Sequence, residues 1–246
     1  MLIQAALNGA RTREEHPALP ITPEEMAVAA RECVTAGARA IHVHARGPDG
    51  RESLAAADVA RAVTAIRAAV AAGVPIGVST GAWIVPDADA RLRAVAAWTT
   101  LPDFASVNFD EDGAEALADH LLSRGVGVEA GLSSVAAAER LAASGLAPRC
   151  LRALLEPDED DVDAALGTVA SLERALDAAR IALPRLLHGR DATAWRLVSA
   201  AAARCYDTRA GFEDTLTLPG GLLAPRNADL VAEARLRSSG PSAVCQ

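Results

Sequence analysis

Short apolar runs alternate with longer Ala-rich segments of helical periodicity along the 246 residues of this chain. The runs have the length of strands buried on both faces, and the segments between them have the length of helices. Eight such repeats follow one another without a linker. They predict one α/β domain over residues 1–246, a (β/α)8 TIM barrel with a flexible tail from about residue 238. The predicted strands are 2–7, 40–44, 75–79, 104–108, 125–129, 150–155, 185–188 and 206–212, and the predicted helices are 23–36, 55–71, 87–98, 112–123, 133–143, 159–179, 191–203 and 225–237.

An open, doubly wound sheet is the alternative architecture for alternating strands and helices. In its dinucleotide-binding form, a glycine-rich phosphate loop leads from the first strand directly into a helix. Here the first predicted strand is followed by Asn8-Gly9-Ala10-Arg11 and a proline-containing loop. The closed barrel is therefore favoured.

Capping residues mark several predicted helix ends. Thr22-Pro23-Glu24-Glu25 provides an N-cap threonine, a proline at the first helical position and a glutamate three residues after the cap. Ser133 and Asp191 are the predicted N-caps of two later helices, and Gly37 and Gly73 are predicted to end the first two helices.

The basic residues are all of one type, because the 24 Lys and Arg of the chain are all Arg. Schiff-base aldolases, pyridoxal-phosphate enzymes and P-loop nucleotide-binding proteins each use a lysine amine. The composition excludes these classes. Chemistry at a carbonyl group would here need a metal ion in place of an iminium.

The charge and the apolar pattern limit the partners of the chain. A formal net charge of -8 and a pI near 5.2, without a basic stripe, argue against nucleic acid as a partner. Arg, Asp or Glu interrupts every apolar run before the roughly 20 residues of a membrane span, and Met1 is not followed by the basic region of a signal peptide. We therefore expect a cytoplasmic protein that contacts neither nucleic acid nor a membrane.

Two histidines, His42 and His44, lie at the end of the second apolar run. Residues two apart in a strand share a face, so both imidazoles are expected to point the same way. Glu213 lies at the end of the last run, and a closed barrel places its last strand beside the first, with the second just beyond. Two imidazoles and one carboxylate form a typical catalytic zinc site with open coordination positions. The sequence therefore predicts a zinc site formed by His42, His44 and Glu213.

Other polar side chains also lie at predicted strand ends, where the active sites of such barrels are found. In the last run, period-two alternation places Arg209, Gly211 and Glu213 on one face, with Gly211 leaving room between two charged side chains. The eight ends carry, in order, Asn8, His42 with His44, Ser79 with Thr80, Asn108, Glu129, Glu156, His188, and Glu213 with Asp214.

A set of motifs extends over most of the chain. The motifs are the segments 6–12, 16–25, 36–38, 41–44, 48–50, 79–81 and 211–214. Together they resemble the β-keto acid cleavage enzymes, a family that includes the 3-keto-5-aminohexanoate cleavage enzyme of lysine fermentation. The resemblance runs from about residue 3 to residue 236. It implies a zinc-dependent (β/α)8 barrel, a homodimer or homotetramer, that combines a β-keto acid with acetyl-CoA to yield acetoacetate and an acyl-CoA.

The resemblance also implies roles for single residues. The zinc ligands of the family correspond to His42, His44 and Glu213, and its pair that handles the α-proton of the substrate corresponds to Arg209 and Asp214. Its carboxylate-binding serine corresponds to Ser79, and a glutamate at the end of the fifth strand to Glu129. The predicted substrate-binding residues are Asn8, Arg11, Ser79, Thr80, Asn108 and Glu129.

One departure from the family concerns the substrate. Arg11 aligns with an acidic residue of the aminohexanoate-cleaving member. An acid there would suit a substrate ammonium, whereas a guanidinium favours a carboxylate or a neutral polar group. The sequence therefore argues against a cationic substrate.

Two other functions are compatible with parts of the pattern. A metal-dependent hydrolase or lyase of a small carboxylate could use the same three ligands without CoA, although the further histidine and aspartate ligands of amidohydrolases are not found. A non-catalytic barrel could bind a small acid, but the charged cluster at residues 209–214 disfavours this.

Overall fold

A closed barrel of eight parallel strands, in chain order, forms the centre of the computed structural model, which describes residues 1–238. The last strand pairs with the first. The predicted (β/α)8 barrel is therefore confirmed. The strands are β1 (Ile3–Ala6), β2 (Ala40–Val43), β3 (Ile76–Ser79), β4 (Phe104–Asn108), β5 (Gly127–Leu132), β6 (Arg152–Leu155), β7 (Arg185–Leu187) and β8 (Asp207–Ala210). The helices are α1 (Pro23–Ala36), α2 (Ala56–Ala69), α3 (Ala88–Ala96), α4 (Ala114–Ser123), α5 (Val135–Ser144), α6 (Val162–Ala178), α7 (Ala194–Ala203) and α8 (Asn227–Ser238).

The extent of the domain, residues 1–246, stays a prediction, and the tail predicted from about residue 238 lies outside the described residues. Within the described part of the chain, no helix has both the length and the apolarity that crossing a membrane requires.

The helices cover the barrel with narrow apolar stripes. In α1, for example, Met26, Ala30 and Cys33 are fully buried and recur at helical spacing. Burying one methionine of this kind contributes about 1.5–3 kcal/mol, so the stripe fixes which face of the helix meets the sheet.

A charged layer fills part of the barrel interior. Gln4 on β1 donates from Nε2 to Oε1 of Glu129 on β5 over 2.7 Å. Nε of Arg152 on β6 lies 3.2 Å from the same oxygen, and both Glu129 and Arg152 are buried. Burial raises the pKa of Glu129, and the nearby guanidinium of Arg152 opposes that rise.

The strand end predicted at Glu129 is wrong. The segment 130–132 continues β5, with Gly131 beside Asn108 of β4 and Leu132 beside Leu155 of β6. A charged residue suggested a strand end, but here the charge belongs to the pairs inside the barrel. Glu129 therefore lies in the middle of its strand.

Two N-caps differ from those predicted. Ser134, not Ser133, caps α5 by accepting from the backbone N–H of Ala137, because the hydroxyl of Ser133 donates to Asp110 instead. α7 begins after Thr193, not at Asp191, whose left-handed backbone (φ 42°) belongs to the preceding turn.

The predicted ends of α1 are confirmed, and the predicted end of α2 is wrong. Thr22 and Glu25 form a reciprocal capping box, and Gly37 ends α1 with φ 119°, a conformation that glycine adopts without steric cost. α2 ends at Ala69, because the extended backbone of Val70 (φ -104°, ψ 162°) breaks the helix before Gly73 is reached.

Candidate functional site

His42, His44 and Glu213 lie together at the carboxyl end of the barrel. His42 is in β2, His44 follows it, and the strand order places β8 only one strand away from β2. Nε2 of His42 lies 3.5 Å from Oε2 of Glu213, and Nε2 of His44 lies 3.3 Å from Oε1. One ligand atom from each of the three residues lies within 4.8 Å of the other two, so the group could hold one metal ion.

Glu213 reaches this position from a turn, and its predicted place in a strand is wrong. β8 ends at Ala210, and residues 211–214 turn, with the N–H of Asp214 donating to the carbonyl of Gly211. A Cβ at Gly211 would lie 2.0 Å from the carbonyl oxygen of Ala6, so this glycine permits a close backbone approach instead of spacing two side chains.

Gly9, in the loop after β1, makes room for the Glu213 side chain. Its φ is +57°, and a Cβ there would lie 2.5 Å from Cγ of Glu213. Both the conformation and the space therefore require glycine at this position.

The two imidazoles differ in their protonation. Burial lowers the pKa of His42 to about 3, against the opposing effect of Glu213. Burial also acts to lower the pKa of His44, but Glu213 and Glu52 outweigh it and raise that pKa to about 9. Because a metal binds neutral imidazole, His42 is already in the binding form, and metal binding would release a proton from His44.

Three side chains fix His44. Oε1 of Glu52 lies 2.5 Å from Nδ1 of His44, which leaves Nε2 directed toward Glu213. The amide of Asn8 donates to the carbonyl of His44 over 3.0 Å and accepts from its N–H over 2.9 Å. The indole of Trp83 stacks on the imidazole at 6.1 Å between ring centroids and donates to both oxygens of Glu52. A carboxylate behind a histidine is the usual outer contact of a histidine metal ligand.

The donor set fits a divalent metal ion. Oε2 of Glu213 is buried and has no hydrogen-bond partner, although it faces His42. A buried carboxylate oxygen without a partner is costly, and a bound cation would remove that cost. Two imidazoles and one carboxylate match zinc by ligand type.

A second cluster surrounds Asp214, next to the candidate ligand. The guanidinium of Arg209 donates to both carboxylate oxygens, from Nη2 to Oδ1 over 2.6 Å and from Nε to Oδ2 over 3.2 Å. Nη2 also lies 3.1 Å from Oε1 of Glu213. Burial acts to raise the pKa of Asp214, but Arg209 and His188 outweigh it and hold that pKa below its usual value. Arg209 thus links the two acidic residues.

A cavity of about 610 Å³ opens above both clusters. Among the predicted site residues, Arg11, His44, Asn108, Arg209 and Glu213 line it, together with Trp83, Glu156 and His188. The predicted residues Asn8, His42, Ser79, Thr80, Glu129 and Asp214 are not part of its lining, and all six are buried.

The buried residues of this group have partners within the protein. Oγ of Ser79 accepts from the N–H of Gly81 over 3.3 Å, and the hydroxyl of Thr80 donates to the carbonyl of Ser106 over 2.7 Å. Glu129 belongs to the charged layer of the interior. Their roles in substrate binding stay predictions, and for Thr80 and Glu129 the observed contacts stabilise the barrel.

The charge of Arg11 is already compensated. Its Nη2 lies 2.5 Å from Oδ1 of Asp191, and its Nη1 lies 3.2 Å from Oε1 of Glu15. A substrate carboxylate would have to compete with both side chains. Because Arg11 already pairs with two acids, its charge alone does not exclude a cationic substrate.

Glu52 contributes to the site although the sequence pattern does not indicate it. Glu52 follows His44 by eight residues, and an antiparallel bridge between Arg46 and Glu52 folds the loop back toward the histidine. The turn signal Pro48-Asp49-Gly50 indicates such a reversal, although it does not indicate the contact. Glu156, one of the polar residues at the predicted strand ends, lies in the cavity lining, directly after β6 and well before α6 begins at Val162.

Solved structures of other proteins share this fold. The apo structure of ObcA matches with a TM-score of 0.69 and 18% identity over 89% of this chain and 61% of that chain. A ternary complex of ObcA with a C4-CoA adduct and oxalate matches with a TM-score of 0.70 and 18% identity over 89% of this chain and 63% of that one. The 3-dehydroquinate dehydratase from Aquifex aeolicus VF5 matches with a TM-score of 0.57 and 10% identity over 97% of this chain and 99% of that one.

At these identities the matches show the fold alone, and this chain spans less than two thirds of the length of ObcA. The family is shown by a sequence model described as beta-keto acid cleavage enzyme, which matches residues 1–149 of the 246. The matched segment includes both histidines of the candidate metal centre and all strands from β1 to β5. The chain belongs to the β-keto acid cleavage enzyme family.

Proposed function

We propose that this protein is a zinc-dependent enzyme that combines a β-keto acid with acetyl-CoA and cleaves the product to acetoacetate and an acyl-CoA. The observation that carries the proposal is the meeting of His42, His44 and Glu213 beside the Arg209–Asp214 pair, at the base of one cavity, in a member of this family. The exchange is of the retro-Claisen type, so it needs an activated keto group and a means of moving the α-proton.

His42, His44 and Glu213 would hold the metal. A bound divalent cation with open positions supplies Lewis-acid polarisation of the keto and carboxylate oxygens of the substrate. Glu52 and Asn8 keep the His44 ring oriented for that role.

We assign to Arg209 and Asp214 the removal of the α-proton of the β-keto acid and the stabilisation of the negative charge that its removal leaves on the substrate. Arg209 is 4% exposed and lies between Glu213 and Asp214, so its positive charge is available where negative charge develops on the substrate. Three hydrogen bonds from the guanidinium of Arg209 hold the carboxylate of Asp214 in the cluster. Ser79 completes the proposal as a donor to the substrate carboxylate.

The size of the cavity supports a reaction between two substrates. About 610 Å³ lies in the usual range of small-molecule sites and is sufficient for a short β-keto acid and the acetyl thioester end of acetyl-CoA. The ternary complex of ObcA with a C4-CoA adduct and oxalate is a precedent for a similar barrel that binds both a CoA adduct and a small dicarboxylate.

The test is an incubation of the zinc-loaded protein with acetyl-CoA and a panel of short β-keto acids, followed by measurement of acetoacetate and acyl-CoA. We expect equimolar amounts of both products for at least one acid, and none when acetyl-CoA is omitted. Acetoacetate formed without acetyl-CoA would contradict the transfer reaction and would favour a metal-dependent hydrolase or lyase of a small carboxylate.

Removal of single ligands tests the metal centre separately. His42→Ala and Glu213→Ala should each lose bound zinc, measured by metal analysis of the purified proteins, while circular dichroism shows that the fold is kept. Wild-type zinc content in either variant would exclude that residue as a ligand.

The homodimer or homotetramer and the cytoplasmic location remain part of the proposal. Light scattering on purified protein and fractionation of the source cells measure these two properties directly.

A further inference from the structure

Gly131, near the end of β5, leaves room for two side chains from the neighbouring strands. A Cβ at this position would lie 2.3 Å from Oε1 of Glu156 and 2.5 Å from Oδ1 of Asn108. Glu156 directly follows β6 and Asn108 ends β4, so the two neighbours of β5 each place one oxygen beside the same glycine. Both residues line the cavity. Their two oxygens are therefore close enough for one group of a ligand to contact both.

Glu111 determines which atom of the Asn108 amide faces Glu156. Nδ2 of Asn108 donates to Oε1 of Glu111 over 3.1 Å, and the same oxygen accepts from the backbone N–H of Ala82 over 2.9 Å. The amide nitrogen is thus on the Glu111 side, and Oδ1 remains toward Gly131. Oε1 of Glu156 and Oδ1 of Asn108 are both acceptors, and neither accepts a hydrogen bond within the described part of the chain. A donor from the cavity would satisfy both.

His188 gives an independent indication of a ligand at this end of the cavity. It is 1% exposed and belongs to the cavity lining, and neither ring nitrogen has a hydrogen-bond partner. Nε2 lies 3.5 Å from Oε2 of Glu156, which leaves Oε1 on the other side of the carboxylate for a ligand. Burial and Arg209 act to lower the pKa of His188, but Asp214 and Glu156 outweigh them and raise it. The imidazole therefore supports the carboxylate as a neighbouring, partly positive group.

The charge of this region selects the kind of ligand group. Glu111 and Asp158 line the cavity as well. Burial raises the pKa of both, and the negative charge of Glu156 adds to that rise. Arg190 lies 3.8 Å from Asp158 and offsets part of the charge. The remaining negative potential disfavours a carboxylate on the ligand and favours a donor, either neutral or positively charged.

Glu156 and Asn108 also lie where a substrate chain would end. The candidate metal ligands His42 and His44 lie in β2 and directly after it, and β6 is opposite β2 in the closed order of eight strands. A β-keto acid whose keto and carboxylate oxygens are at the metal centre would extend its acyl chain across the cavity, toward Glu156.

We propose that Glu156 and Asn108 form a subsite that binds a hydrogen-bond donor, a hydroxyl or an ammonium group, at the far end of the β-keto acid. The inference rests on the proposed function and names the class of its substrate. Glu111 is a positioning residue of this subsite, because it turns the amide of Asn108.

The test measures the binding of β-keto acids that differ only in their last group. 3-Oxohexanoate, 5-hydroxy-3-oxopentanoate and 5-amino-3-oxopentanoate end in a methyl, a hydroxyl and an ammonium group on chains of equal length. 3-Oxoheptanoate and 6-hydroxy-3-oxohexanoate repeat the comparison with one methylene more. Isothermal titration calorimetry with zinc-loaded protein, without acetyl-CoA, gives each dissociation constant. We expect the hydroxyl or the ammonium acid to bind at least about tenfold more tightly than the methyl acid of the same length.

Variants connect this preference to the subsite. Glu156→Met keeps the length of the side chain and removes both carboxylate oxygens, so the preference should fall below about threefold. Asn108→Leu keeps the shape of the side chain, removes the amide and should also reduce the preference. Glu139→Met, the same substitution as the first on the exposed face of α5, should keep the wild-type preference. Melting temperatures show that each variant is folded.

Equal or tighter binding of the methyl acids at both lengths would overturn the proposal, and so would a wild type that binds none of the acids. A donor preference that survives in both Glu156→Met and Asn108→Leu would overturn it as well. A preference that depends on Glu156, without acetoacetate formation from acetyl-CoA, would refute only the proposed function. Acetoacetate formation without any donor preference would refute only the subsite.

Discussion

Removing the carboxylate of Glu52 should weaken zinc binding although Glu52 is not a candidate ligand. Its Oε1 lies 2.5 Å from Nδ1 of His44, and its side chain is 13% exposed, so water cannot easily replace the contact. The indole of Trp83 donates to both carboxylate oxygens and limits their rotation. The carboxylate therefore holds the imidazole with Nε2 toward the metal position.

The magnitude follows from this geometry. A hydrogen bond to a charged group contributes about 1.5–3 kcal/mol, and each 1.4 kcal/mol corresponds to about tenfold in affinity. We expect Glu52→Gln, which keeps an acceptor but loses the charge, to weaken zinc binding about tenfold. Glu52→Ala, which removes the contact, should weaken it about 100-fold, at the upper end of the range for outer contacts of metal ligands.

The assay is competition for zinc with a chromophoric chelator, using protein from which metal has been removed. Glu139→Gln, on the exposed face of α5, is the matched control and should bind zinc as the wild type does. His44→Ala defines the complete loss of a ligand. If Glu52→Ala binds zinc within threefold of the wild type while His44→Ala does not, the reasoning from orientation is wrong.

Two further predictions concern stability. Gly211→Ala would place a Cβ 2.0 Å from the backbone oxygen of Ala6, and we expect a loss of about 3 kcal/mol, seen as a melting temperature lower by roughly 6–12 °C; an unchanged melting temperature would contradict the close approach. Glu25→Ala should cost about 1 kcal/mol at neutral pH, because the capping box with Thr22 is lost. Partial burial acts to raise the pKa of Glu25, but hydrogen bonds from Arg13 and two backbone N–H groups lower it to about 2. Glu25 therefore contributes its full share of the folding free energy at a pH above 4.5, the usual pKa of a glutamate, and loses this contribution as the pH falls toward 2. The denaturation curves of the variant and the wild type should converge in acid.

The sequence predicts the barrel and much of the candidate metal centre, because both depend on local sequence pattern and on the rule that a closed barrel places its last strand beside its first. Apolar runs of strand length, separated by capped helices, define the repeat, and barrel closure brings the last strand next to the first. His42 and His44 could be placed because a strand end and a two-residue spacing determine their direction. The capping box at Thr22 could be identified because all its atoms lie within four residues.

Other features depend on contacts that spacing does not reveal. The segment 209–213 has the period of a strand, but β8 ends at Ala210, and the following residues form a turn in which the N–H of Asp214 donates to the carbonyl of Gly211. Glu129 has the charge expected of a strand end, but its partners Gln4 and Arg152 come from other strands of the barrel.

The candidate ligands come from the two ends of the chain, residues 42 and 44 on one side and residue 213 on the other. A fragment that contained only the first half of the barrel would keep both imidazoles and lack Glu213. The three candidate ligands therefore come together only when β8 pairs with β1 and closes the barrel. A metal ion bound there would connect the two sides of the barrel closure between β8 and β1. At a free concentration 100 times its dissociation constant it would stabilise the folded state by about 2.7 kcal/mol, so chelation should loosen the terminal strands first.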